Sequence, residues 1–237
     1  KDIAQNETVS NDYTFRTPGY RGNTYYVDQN NTLANDVNPG TENQPWLTIQ
    51  RAADFVEPGD MVIVYPGDYG RVNISRSGTP DSCITFKGLT KPSQSLINPD
   101  ELFDPENPGA FPANTEENAV TKGFTLALPW ASEDRIQYVR IENFEITDIA
   151  ESIGSGIYLR GTDNIQIVKN FIHELNSSRD YAYMGIRGAS HKNSNILVKD
   201  NILYRVQGTG INIVGQNWIV EGNELSHGLD VNTNDGR

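Results

Sequence analysis

The chain has 237 residues and a formal net charge of −12, with 31 Asp and Glu against 19 Lys and Arg, which argues against a nucleic-acid partner because phosphate backbones are held by clustered cations. Apolar residues are 36% of the chain beside 21 glycines and 12 prolines, a balance that predicts a narrow core with many turns rather than a thick layered one. A single cysteine, Cys83, excludes an intrachain disulfide or thiolate cluster, and no run approaches the about 18 apolar residues that cross a bilayer.

Residues 1 to 23 are polar and aperiodic and read as an extended N-terminal arm. No charged-then-apolar signal segment opens the chain, and the mature protein is expected to be soluble. The first strand is expected at "NTYYVDQNN", followed by an asparagine-rich turn. Ile49, Ala52, Ala53 and Val56 then fall at helical spacing, with Thr48 as N-cap and "EPGD" as the stop. "MVIVYPG", "GRVNIS" and "CITFKG" read as strands; within the last, Cys83 reads as a small buried hydrophobe rather than a reactive thiol. Residues from Leu89 to about Lys122, rich in Pro, Asn and Glu, read as a long surface-loop insertion. Strand patterns resume at "GFTLAL" and "IQYVRIENFEI". Glycosylation sequons begin at Asn6, Asn30, Asn73 and Asn176, and they have meaning only in a host that glycosylates.

From residue 156 onward a repeat is legible. "GIYLRG", "GIRG" and "GINIVG" each lead into an asparagine-bracketed strand, "NIQIVKN", "NILVKDN" and "NWIVEGN". The brackets pair Asn164 with Asn170, Asn195 with Asn201 and Asn217 with Asn223 at constant spacing. A repeat of roughly 20 to 30 residues built only of strands and turns is the pattern of a β-solenoid. Corner positions in such a coil favour Gly or Asn, which tolerate left-handed backbone. Asn170, Asn201 and Asn223 are expected to stack at equivalent corners and to satisfy one another's amides.

The run "GTENQPWLTIQRAADFVEPGDMVIVYPGDYGRVNISRSGTPDSCITFKG" resembles the N-terminal cap and first coils of secreted proteins of the pectate-lyase-like superfamily. "PWLTIQRAA" is similar to the capping helix of that superfamily, "PGD" and "VYPGDYG" to its first rung, and the later asparagine units to its degenerate coils. The resemblance implies an all-β, right-handed parallel β-helix over residues 24–237 with an N-terminal capping helix and the insertion at about 89–122. It also implies a secreted or extracellular-surface location. No capping segment follows "VNTNDGR", so further coils beyond Arg237 are the expectation. Members of this superfamily include lyases, hydrolases, epimerases and binding proteins, so the fold alone leaves activity open.

Alternation places Ile157 and Leu159 inward and Tyr158 and Arg160 outward, with Arg187 and Asn212 facing out on the next two rungs. A second outward column is expected at His173, Tyr204 and Ser226, beside Glu174. Trp46 and Trp218 read as core, whereas Trp130, in "LPWASEDR", reads as a sugar-stacking platform. The candidate substrate-binding residues are therefore Tyr158, Arg160, Asn212, Trp130, His173 and Glu174. The resemblance implies a base near a sugar ring and calcium beside it, for which Arg187, Lys192 and His191 are the catalytic candidates and Asp180, Asp230 and Asp235 the metal candidates. The chain shows no tight acidic cluster of the lyase type, so no residue of that superfamily is carried over. An ordinary hydrated loop remains the competing reading of "RGASHK".

The leading functional expectation is a polysaccharide lyase that cleaves an acidic polysaccharide or cell-surface glycan by β-elimination. Two alternatives stand beside it. One is a noncatalytic surface, filament or adhesion module, with self-association in that case; the other is a glycoside hydrolase using paired carboxylates such as Glu174 with Asp180 or Asp230.

Overall fold

The computed structural model of the protein describes residues 22–90, 115–147, 154–173, 175, 183–206 and 208–226. The described residues open with β1 (Thr24–Val27) and α1 (Ile49–Phe55) and then repeat one circuit of three short strands. The circuits are β2 (Met61–Val64), β3 (Gly67–Tyr69) and β4 (Val72–Ile74); β5 (Ile84–Gly88), β6 (Ala119–Thr121) and β7 (Phe124–Ala127); and β8 (Ile136–Glu142), β9 (Glu145–Ile146) and β10 (Ser155–Arg160). They continue with β11 (Thr162–Val168), β12 (Phe171–His173) and β13 (Met184–Gly188), then β14 (Ser194–Lys199), β15 (Ile202–Tyr204) and β16 (Ile211–Asn212). β17 (Gln216–Glu221) and β18 (Glu224–Ser226) open a further turn.

Each strand stacks on its counterpart one coil away. The result is three sheets, β1-β2-β5-β8-β11-β14-β17, β3-β6-β9-β12-β15-β18 and β4-β7-β10-β13-β16. Every neighbouring pair is parallel, as in the registers Val62 to Phe86, Phe86 to Ile141 and Ile141 to Ile167. This is the expected right-handed parallel β-helix. Parallel pairing needs a long return for each strand, and here the other two sheets supply it. Inward side chains form apolar stacks such as Val62, Phe86, Ile141, Ile167 and Val198, all buried, each contributing about 1.5–3 kcal/mol by burial. Phe124 and Phe144 meet edge to face in the same core, with centroids 4.9 Å apart.

The cap forms as the sequence predicts. Thr48 accepts a hydrogen bond from the Arg51 amide, while the Asp36 carboxylate accepts from the Leu47 and Thr48 amides and from the Thr48 hydroxyl. Ile49, Ala52 and Ala53 of α1 are buried, and Trp46 is wholly enclosed with its indole N–H donating to the Asn38 carbonyl at 2.7 Å. Gly40, at φ +78°, lies so close to that indole that a Cβ there would approach within 2.7 Å. Only glycine fits both constraints. Cys83 is half-buried with its Sγ 3.0 Å from the Tyr138 carbonyl. Burial pushes its thiol up to about 12, so it remains a neutral thiol near neutral pH, in keeping with a packing role.

The asparagine column is present and pairs its amides as expected, but the left-handed corner falls on a neighbouring residue. Asn201 Oδ1 accepts from both the amide and the Nδ2 of Asn170, at 2.9 and 3.0 Å; Asn223 Oδ1 does the same for Asn201, at 3.0 and 2.9 Å. The left-handed corner is the residue before each of these, namely Lys169, Asp200 and Gly222 at φ 56°, 54° and 63°. The other bracket, Asn164, Asn195 and Asn217, does take left-handed backbone itself, at 54°, 54° and 57°. One family of asparagines thus bends the chain and the other ties successive coils together. A second correction concerns the surface-loop reading from Leu89 to Lys122, because its end contains β6, with Ala119, Val120 and Thr121 buried. Residues 1–21 and 91–114 lie outside the described residues.

Replacing Asn201 by alanine removes two acceptor and three donor contacts and leaves the buried Asn170 amide without its partner. We expect Asn201→Ala to lower unfolding free energy by about 3 kcal/mol in urea titrations, whereas a loss below about 1 kcal/mol would contradict the ladder's role.

Candidate functional site

The outer face of the sheet β4-β7-β10-β13-β16 carries the strongest constellation of groups. Its registers bring Asn73, Thr125, Tyr158, Arg187 and Asn212 into one column, as alternation predicts. The inward neighbours Val72, Phe124, Ile157 and Ile186 are buried and fix that phase. Two residues further along the strands, Arg160 sits beside Ala127. The chain leaving β7 then returns Trp130 over this face, with 81% of its surface exposed.

These side chains enclose an open groove of about 530 Å³, whose lining includes Thr125, Ala127, Trp130, Tyr158, Arg160 and Arg187. The Arg160 guanidinium lies 4.0 Å from the Trp130 ring centroid and that of Arg187 lies 5.6 Å from the Tyr158 centroid. Each cation is thereby oriented by a ring face. Arg160 Nη2 also donates to the Leu128 carbonyl, tying the Trp130 loop to β10. Among the described residues, the groove lining holds two guanidiniums and no carboxylate, on a chain of net charge −12. The floor is fixed by Arg71, which donates to the Thr125 hydroxyl at 2.9 Å and to the carbonyls of Lys122 and Ser155 at 3.0 and 2.9 Å. It thus staples the coils of β4, β7 and β10.

Arg187, Arg160, Tyr158 and Trp130 therefore converge in one groove. Asn212 follows Arg187 on the next rung, half-exposed. Lys192 and His191 do not line the groove; both are exposed on the turn after β13. Lys192 instead bonds Glu133 of the Trp130 loop at 2.8 Å, and this hydrogen bond holds the Glu133 carboxyl below its ordinary range. Glu174, Asp180, Asp230 and Asp235 lie outside the described residues. Among the described residues no group of three or more His, Cys, Asp or Glu could hold a metal ion, so no chemical step here is routed through calcium.

His173 corrects the expected second exposed column. It does stack on Tyr204, and Tyr204 on Ser226, yet His173 and Tyr204 are 0% and 2% exposed. The His173 Nε2 is 2.8 Å from Glu145 Oε1, and Glu145 Oε2 accepts from Asn118 Nδ2 at 2.7 Å. Phe171 stacks on the imidazole at 4.2 Å. His173 is therefore part of a buried polar network, and the groove lies on another sheet. Sequence reasoning missed Glu145 and Arg71. Glu145 carries no motif, and the contacts of Arg71 span three coils that only the fold brings together.

No family model matches the chain, and no curated protein matches it. Among solved structures, pectate lyase Pel9A superposes with a TM-score of 0.50 at 15% identity, over 86% of this chain and 46% of that one. The chain has a pectate-lyase-like fold. A rhamnogalacturonan lyase (TM-score 0.48, 18% identity, 85% of this chain and 45% of that one) and a GH136 lacto-N-biosidase from Eubacterium ramulus (0.49, 18%, 80% and 35%) are also similar. The chain spans less than half the length of each. At these identities the pectate-lyase-like likeness is one of architecture.

The buried pair makes its own prediction. Glu145→Ala and His173→Ala should each destabilise the protein by about 3 kcal/mol, because each removes one half of a buried polar contact. The double variant should lose at least about 1 kcal/mol less than the sum. Strict additivity in chemical denaturation would show that the two groups do not act as a unit.

Proposed function

We propose that the protein binds an acidic polysaccharide along this groove and cleaves it by β-elimination. The observation that carries the reading is the convergence of two ring-oriented guanidiniums and two aromatic faces in one open groove. Aromatic faces suit the apolar face of a pyranose, and guanidiniums take carboxylates in a bidentate manner that Lys does not reproduce. The structure with a TM-score of 0.50 is named a pectate lyase, a name in keeping with this reading. A substrate of this kind implies work outside the cell.

In β-elimination from a uronate, a base removes the proton at C5, the electron pair forms the C4–C5 double bond, and the C4–O bond breaks. The departing oxygen then takes a proton. Neutralising the uronate carboxylate makes the C5 proton more acidic and stabilises the charge that develops on its removal. Arg187 and Arg160 are assigned that role. Among the described lining residues, the Tyr158 hydroxyl is assigned the proton exchange with the sugar. Hydrolysis would need two carboxylates across the scissile bond; among the described residues the lining offers none, and Glu174, Asp180 and Asp230 lie outside them.

The test is ultraviolet detection of unsaturated uronate when the protein meets polygalacturonate, alginate or a glycosaminoglycan, with and without added calcium. We expect absorbance to rise with at least one of these. Arg187→Ala should lower kcat/KM by about a hundredfold, equivalent to losing one charge-assisted contact of about 3 kcal/mol. Arg187→Lys should not restore it. Neither product nor binding with any acidic glycan would contradict the proposal; binding without product would favour a rigid recognition module.

A further inference from the structure

A second pocket, of about 620 Å³, adjoins the groove across Leu128, which lines both. Its polar walls are Ser75, Ser77, Glu133, Asp134, Arg135 and Gln137. Ser75 follows Ile74, the register partner of Leu126, just as Ala127 follows Leu126. Ser75 therefore stands one coil below Ala127, about 4.8 Å along the solenoid axis, and two coils below Arg160. The second pocket runs from the end of β4 across Leu128 to the start of β8, so it adjoins the groove at the corner between two sheets.

Their charges are opposed. The groove presents Arg160 and Arg187, whereas the adjoining pocket presents the carboxylates of Glu133 and Asp134. Arg135 also lines the lower pocket, but its Nη1 donates to the Ser194 hydroxyl at 3.0 Å, and that hydroxyl is 2.9 Å from Asp163 Oδ1. Its guanidinium is thus engaged with the next coils of the neighbouring sheet. Glu133 is tied to Lys192. The Ser77 hydroxyl donates to the Arg135 carbonyl and accepts from the Gln137 amide. Carboxylate oxygens are acceptors and suit the hydroxyls of an uncharged sugar, while a second uronate placed there would meet like charge.

We infer that this pocket is a second sugar subsite that takes a neutral residue, so that the ligand is a heteropolymer in which an acidic sugar adjoins an uncharged one. The inference rests on the groove being a glycan site. Glu133 and Asp134 are then specificity-determining residues, discriminating against homopolymeric polyuronate by repulsion, and Trp130, on the same loop, contributes to the neighbouring groove.

The experiment is calorimetric binding at low salt of three oligosaccharides of equal length: an all-uronate chain, a chain alternating uronate and neutral hexose, and an all-neutral chain. The alternating chain should bind at least about tenfold more tightly than the all-uronate chain. Glu133→Gln combined with Asp134→Asn should abolish that preference by raising affinity for the all-uronate chain, with an unchanged melting temperature. The preference should also shrink as salt is added. Equal or tighter binding of the all-uronate chain by the unaltered protein would overturn the inference, as would a preference that survives the double substitution. Failure of the underlying glycan reading has a different signature: no acidic chain binds, and Arg187→Ala changes nothing.

Discussion

Constant register between successive coils is the constraint on which everything else depends. Main-chain hydrogen bonds fix the height of each rung, and pleat alternation then decides which side chains enter the core and which leave it. A slip of one residue in β10 would send Ile157 and Leu159 outward and bury Tyr158 and Arg160. The Asn170–Asn201–Asn223 column opposes such a slip from within, because Asn201 Oδ1 and Asn223 Oδ1 each accept two hydrogen bonds from the asparagine one coil away. The groove is a consequence of this register: Tyr158 and Arg187 face each other because their strands are paired at those residues.

The solenoid also explains how an acidic chain keeps a cationic site. Its charges are distributed over three outer faces, and many are neutralised locally, as in Arg140 with Glu142 and Lys199 with Glu221. On the groove face, Arg160 and Arg187 lie over the rings of Trp130 and Tyr158. The Trp130 loop separates this positive groove from the acidic pocket, so a single short loop supplies the aromatic wall on one side and the carboxylates on the other.

Much of this was legible in the sequence, for physical reasons that can be traced to particular residues. The cap could be read because Thr48 and the apolar spacing of Ile49, Ala52 and Ala53 are local signals. The outward phase of Tyr158, Arg187 and Asn212 could be read because a period of two admits only two phases and glycines mark each rung. The buried pair could not. "NFEI" and "NFIH" invite superposition of Asn143 on Asn170, which would turn Glu145 inward, but the pairing is Glu145 with Phe171. Phe144 thus stands at the ladder position, its amide donating to Asn170 Oδ1 at 3.0 Å. The apolar residue fills the core, Asn143 takes the left-handed corner at φ 63°, and Glu145 meets His173 on the outer face. The arrival of Trp130 over Arg160 was also hidden, since a loop's return path has no sequence periodicity.

The most direct test of the central claim is a crystal structure of the protein with a bound acidic oligosaccharide. The account predicts a sugar carboxylate on the guanidinium of Arg160 or Arg187, a pyranose face on Trp130 or Tyr158, and a chain axis running along the solenoid from one coil to the next. An oligosaccharide seated on either of the other two sheets, with these four side chains untouched, would contradict it.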